Sequence, residues 1–183
     1  MFTPLFTDGV WNTTFNSDLK KYCDFVKNND TGRVLTNKGG YQSNDCNLSD
    51  PILSPLISHI EREANIFRNV FNVQRTLTLD NMWININGPG CYNEDHTHIN
   101  TFFSGVYYIH TPKNCGNIEF SKPSLHIMAQ WSSGFESFNT HNSGRWTLPA
   151  TKNVCYIFPS YYVHKVLPNE NQEKRYSVSF NLS

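Results

Sequence analysis

Charge is scarce in this chain of 183 residues: 15 Lys and Arg stand against 15 Asp and Glu, for a formal net charge of 0. No summed field exists to draw in nucleic acid or an anionic membrane, so neither is expected as a partner. No apolar run approaches the roughly 18 to 20 residues that span a bilayer. The N-terminus, Met1 to Thr14, lacks the basic and apolar regions of a secretory signal. No CxxC pair occurs among the five cysteines, Cys23, Cys46, Cys91, Cys115 and Cys155, which argues for reduced, buried thiols and a soluble, cytoplasmic protein. Repeats, low-complexity tracts and Pro/Gly-rich linkers are also missing, so one domain over 1–183 is expected.

Aromatic residues, by contrast, make up 14% of the chain, a share that excludes a disordered tail and favours a β-rich globule. The character of the sequence changes near residue 74. Residues 1–74 read as mostly helical support. Asn16 to Asn28 places Leu19, Tyr22, Cys23, Phe25 and Val26 on roughly one helical face, with Asn16 or Ser17 as a cap. A second helix is expected where Ser54 can cap, Pro55 sits at the first helical position, and Leu56, Ile60, Ala64, Phe67 and Phe71 recur at helical spacing.

From Arg75 the alternation switches to period two, in Leu77–Leu79, Trp83–Ile86, Gly105–Ile109, Ile118–Phe120, Val154–Phe158 and Tyr176–Leu182. Short strands without alternating helices predict a sandwich or jelly roll over 75–183, with the two helices on one sheet. The stretch Ser121 to Pro149 exceeds a plain connection and is expected to form an irregular flap over the site. Its Trp131 and Trp146 are candidates for stacking on substrate.

The chemistry-bearing residues begin at Asp95-His96-Thr97-His98. In an extended segment His96 and His98 share a side and can hold one metal ion. Alone the pair carries little weight. Further on, Phe158-Pro159-Ser160-Tyr161-Tyr162-Val163-His164 reads as strand, turn and strand, and Arg175, Ser177, Ser179 and Asn181 alternate onto one face of the last strand. Asn85 and Asn181 are polar in strands that otherwise read apolar, which makes them candidate substrate or co-substrate contacts.

The strings HTH, SGVYYI, GNIEF, FPSYYVH and RYSVSFN, in that order, resemble the 2-oxoglutarate/Fe(II)-dependent dioxygenases. More narrowly, they resemble the small 2OG-Fe(II) oxygenase family of bacteria and marine phages, over Trp83 to Asn181. The resemblance implies a double-stranded β-helix, a mainly β jelly roll. It implies His96, His98 and His164 as iron ligands and Arg175 as the anchor of the distal carboxylate of 2-oxoglutarate, with Tyr108 reaching the same carboxylate. Ser177, facing the same way as Arg175, can add a hydroxyl to that carboxylate.

The cofactors implied are Fe(II) and 2-oxoglutarate, and the reaction implied is hydroxylation of an unidentified small molecule, peptide or protein side chain, with succinate and CO2 as co-products. No further catalytic residue is expected. Most of the wider superfamily carries a carboxylate where His98 stands. Two alternatives stay open at this stage: a non-catalytic metal-binding jelly-roll module, and a zinc or cupin-like enzyme, since three histidines also suit catalytic zinc.

Overall fold

The computed structural model describes residues 1, 3, 9–122 and 135–183. Two antiparallel sheets face each other. The strands are β1 (Trp11–Thr14), β2 (Asn37–Lys38), β3 (Tyr41–Gln42), β4 (Leu79–Asn87), β5 (Tyr92–His96), β6 (Phe103–His110), β7 (Ile118–Ser121), β8 (Arg145–Leu148), β9 (Val154–Pro159), β10 (His164–Val166) and β11 (Arg175–Leu182). The larger sheet runs β1-β9-β6-β11-β4-β3 and the smaller β2-β5-β10-β7-β8. This is the jelly roll expected from the alternation.

The helices are α1 (Lys20–Asn29) and α2 (Ser54–Phe67). Both pack on the outer face of the larger sheet. Leu19, Cys23, Leu56, Ile60, Ala64 and Phe67 meet Met82, Ile84, Ile86, Tyr107, Val178 and Phe180 in the main core. Period-two alternation then forces the neighbours of those strand residues to the inner face, toward the smaller sheet. Those neighbours are the polar residues of β4 and β11, and the site lies there.

Three details differ from the sequence reading. Neither helix has a side-chain cap: Leu19 and Leu53 occupy the cap positions, and Ser54 is already inside α2. Residues 1–74 are not only helical, because β1, β2 and β3 join the sheets from there. The hairpin of β2 and β3 has one strand in each sheet, paired with β5 and β4 respectively, so it closes one side of the sandwich. Finally, Arg145–Leu148 of the expected flap is a regular strand that pairs with Ile118–Ser121, because Phe120 and Ile118 offer it a ladder. Residues 123–134 of that stretch, Trp131 among them, lie outside the described residues.

The cysteines are all free, and four of the five are buried. Among the described residues no helix is long and apolar enough to cross a membrane.

Candidate active site

Register builds the site. On the smaller sheet His164 stands opposite His96 on β5 and opposite Phe120 on β7. Directly opposed residues point to the same face, so the two imidazoles meet on the inner side. His98 lies two residues past the end of β5 and is held by its own backbone: its N–H donates to the carbonyl of Ser160 (3.0 Å), in the turn that leads to His164. The turn chemistry of Pro159-Ser160 therefore fixes two of the three histidines at once.

The three rings converge. Their centroids are 4.3 Å (His96 to His164), 5.1 Å (His96 to His98) and 5.3 Å (His98 to His164) apart. One nitrogen from each lies within 4.8 Å of the others. Ligand nitrogens bound about 2.1 Å from one ion stand roughly 3 Å apart in a facial set, a closure that small side-chain rotations supply. Nδ1 of His96 bonds the carbonyl of Glu94 (2.7 Å), and Nδ1 of His164 bonds that of Tyr162 (2.9 Å). A carbonyl only accepts, so both Nδ1 atoms carry the proton and both Nε2 atoms keep a free lone pair for a metal.

Burial holds these rings neutral. It pushes the pKa of His164 down to about 3, helped by the neighbouring His96 and by His98, and opposed by the bond to Tyr162. Burial also pushes His98 down to about 4 and lowers His96. The sign for stability follows. Below the ordinary histidine range the unfolded chain binds protons that the folded chain refuses, so the contribution is complete above about pH 6.5 and is lost progressively as pH falls. The metal-free protein should therefore melt at a lower temperature at about pH 5 than at about pH 7. A His164→Gln variant should show a shallower dependence, as scanning calorimetry at the two pH values would reveal.

The larger sheet supplies the opposite wall in rows. Ser177 stands between Asn85 and Tyr108, and the next row is Trp83, Ser179 and Val106. Arg175 lies one step deeper, opposite Asn87. Together with the three histidines, Phe158, Ile118 and Val166, these residues line one cavity. Trp83 and Phe158 pack against the histidine rings, with centroids 5.9 Å from His98 and 4.7 Å from His164 respectively.

Arg175 is 2% exposed, and its Nη1 donates to the carbonyl oxygens of Cys115 and Gly116. Among the described residues no carboxylate pairs with it. A buried cation without a counter-charge is costly, as is the Tyr108 hydroxyl, which is fully buried and has no hydrogen-bond partner. An anion with a carboxylate end satisfies both at once. The residues present thus fit iron at the histidines and an oxo-acid reaching from there to Arg175.

The sequence candidates sort as follows. His96, His98, His164, Arg175, Ser177, Tyr108 and Asn85 all line the cavity. Asn85 is hydrogen-bonded to Asn37 and Ser179. Asn181 lies two residues beyond Ser179 with its amide engaged by Asn81 and Ser104, tying three strands together. Trp146 stands opposite Phe120, so it ends the row His96, His164, Phe120, about 10 Å from His164, and is 41% exposed. Sequence reasoning missed Thr36 and Asn93 on the cavity wall, and it missed the Cys115-Gly116 backbone that holds Arg175.

Gly116 enters the sequence reading only as the first residue of the GNIEF string. It has φ +88°, and a β-carbon there would strike the carbonyl of Leu167 and come within 2.8 Å of Arg175 Nη1. A Gly116→Ala change should destabilise the fold by about 1–3 kcal/mol, lowering Tm by several degrees. It should also weaken 2-oxoglutarate binding about tenfold, which isothermal titration of the nickel-loaded variant would check.

A family model described as "Putative 2OG-Fe(II) oxygenase" matches residues 81–181, the span holding every residue of the cavity except Thr36. The chain belongs to the 2OG-Fe(II) oxygenases. It is an oxidoreductase whose cofactors are iron and 2-oxoglutarate. No curated protein matches the chain.

Solved structures show the same fold at low identity. A Pseudomonas putida prolyl-4-hydroxylase has a TM-score of 0.67 at 12% identity, covering 96% of this chain and 92% of that one. The viral collagen prolyl hydroxylase of Paramecium Bursaria Chlorella virus-1, in complex with 2-oxoglutarate, has a TM-score of 0.58 at 14% identity, covering 94% of both chains. HygX from Streptomyces hygroscopicus, with nickel and 2-oxoglutarate bound, has a TM-score of 0.63 at 9% identity, covering 97% of this chain and 83% of that one. The 2OG-Fe(II) oxygenase family sets aside the reading as a non-catalytic module.

Proposed function

We propose that this oxygenase hydroxylates its substrate at the cavity between the two sheets, with His96, His98 and His164 holding the iron and Arg175, Tyr108 and Ser177 holding 2-oxoglutarate. The observation that carries the reading is the pairing of a converged, neutral histidine triad with a buried, unpaired arginine in one cavity. A structural metal clip has no use for that arginine.

When bound, iron with 2-oxoglutarate and O2 supplies the oxidation, with succinate and CO2 as co-products. The chain's own residues select and align. The guanidinium of Arg175, clamped through Nη1 by two carbonyls, turns its remaining donors to the distal carboxylate, and the Tyr108 hydroxyl donates alongside. Val106, Ile118, Phe158 and Val166 surround that path with apolar groups, which keep water out and strengthen each polar contact. The prolyl hydroxylases among the solved structures favour hydroxylation over other outcomes for this fold, and a small molecule, peptide or protein side chain as substrate.

Fe(II)-dependent formation of succinate from 2-oxoglutarate under air tests the reading. Slow turnover without added substrate, abolished by chelation and in His96→Ala, is the expected result. A triad variant that retains turnover would overturn it.

A further inference from the structure

The inner face of the larger sheet carries one hydroxyl that the function proposed above leaves unused. Ser179 lines the cavity between Trp83 and Val106, two residues from Ser177 and nearer the histidines. Its row is the one that meets the metal ligands, because the ring of Trp83 packs against His98. Ser179 Oγ accepts from Nδ2 of Asn85 at 3.0 Å. Among the described residues nothing accepts the Ser179 proton.

The bond from Asn85 has a direction that starts at a backbone carbonyl. The carbonyl of Tyr41 only accepts, so the side chain of Asn37 turns its nitrogen toward it (3.3 Å). The same nitrogen donates to Oδ1 of Asn85 (3.2 Å), while Nδ2 of Asn87 donates to Oδ1 of Asn37 (3.0 Å). Asn85 is thereby held with its oxygen on Asn37 and its nitrogen on Ser179. Both amides are buried, and turning either one over would strand polar groups without partners. Gly40, between β2 and β3, makes room for the network: a β-carbon there would lie 2.5 Å from Asn37 Oδ1 and 2.8 Å from Asn87 Nδ2. Having accepted from Asn85, the Ser179 hydroxyl offers its proton to the cavity.

Length and charge identify what accepts it. Successive inward residues of a strand stand about 6.6–6.8 Å apart. The two carboxylate carbons of an extended five-carbon oxo-acid stand roughly 5 Å apart. With the distal carboxylate at Arg175, Tyr108 and Ser177, the proximal one, next to the keto group, comes level with Ser179. A carboxylate that binds a metal through one oxygen keeps a second oxygen in a cavity walled by Val106, Ile118 and Phe158, where a charge without a donor is costly.

We propose that Ser179 donates to the proximal carboxylate of 2-oxoglutarate, and that Asn85 and Asn37 are positioning residues that aim its proton. The cavity then holds the co-substrate at both ends and selects a 2-oxo diacid over a keto monoacid. The inference rests on the co-substrate reading above, which sets the distal end.

The test compares 2-oxoglutarate with 4-oxopentanoate, which keeps the distal carboxylate and the ketone and has a methyl group in place of the proximal carboxylate. Both are titrated into zinc-loaded protein and followed by NMR. Ser179→Ala should weaken 2-oxoglutarate about tenfold and leave 4-oxopentanoate within about twofold of wild type. Asn85→Ala should weaken 2-oxoglutarate about threefold, again sparing 4-oxopentanoate, and should add nothing in the Ser179→Ala background, because it acts through that hydroxyl. Equal losses for the two ligands in Ser179→Ala, unchanged 2-oxoglutarate affinity in that variant, or a further loss in the double variant would each overturn the proposal. Arg175→Ala judges the underlying reading separately. It should weaken both ligands, and if it weakens neither, the placement of the distal carboxylate fails whatever Ser179 does.

Discussion

Replacing His164 with alanine should reduce iron affinity by at least about a hundredfold and remove 2-oxoglutarate turnover. The residue is 4% exposed, its Nδ1 proton is committed to the Tyr162 carbonyl, and its Nε2 lone pair points at the other two rings. No other described histidine, cysteine or carboxylate stands in the triad to replace it. The lost imidazole also contacts Phe158 and Phe120, so a moderate fall in Tm accompanies the change. Comparing the melting of wild type and variant with and without iron separates the two effects. Iron should raise the wild-type Tm and leave that of the variant where it was.

Replacing Arg175 with alanine should raise the 2-oxoglutarate concentration needed for half-maximal turnover by about one to two orders of magnitude, since a charge-assisted hydrogen bond contributes roughly 1.5–3 kcal/mol. Iron binding should persist, because Arg175 touches none of the three histidines. The variant leaves the Cys115 and Gly116 carbonyls unpaired, and it also removes a buried charge that has no counter-ion in the free protein. These effects oppose each other, so the change in Tm should be small beside the loss of co-substrate affinity. Arg175→Lys should recover part of the affinity through its charge but not the fork geometry. Titration calorimetry with nickel-loaded variants reads all of this directly.

What was legible in the sequence followed from strict alternation. Along β11 the inward set Arg175, Ser177, Ser179 and Asn181 could be separated from the outward set Tyr176, Val178, Phe180 and Leu182 without coordinates, because the side-chain period of a strand is two. The same rule placed His96 and His98 on one side. It could not reveal register, which decides that His164 faces His96 and that Trp146 ends the same row.

Helix ends were misread for a related reason. Ser54 and Pro55 look like a cap and a first turn, yet helix α2 starts at Ser54 with Leu53 as the cap residue, buried in the core, so tertiary packing outweighed the local cap preference. The places of Thr36 on the cavity wall and of the Cys115-Gly116 clamp on Arg175 were not legible, although Gly116 opens the GNIEF string. Their roles come from residues distant in sequence meeting at the cavity, and only a fold places them.

Anaerobic titration of the protein with Fe(II) and 2-oxoglutarate tests the central claim most directly. A weak visible charge-transfer band should appear only when both are present, saturate at one equivalent of iron, and disappear in His164→Ala and weaken in Arg175→Ala. Absence of the band in wild-type protein that has bound iron, or a band of equal strength in both variants, would contradict the assignment of iron to the three histidines and of 2-oxoglutarate to Arg175.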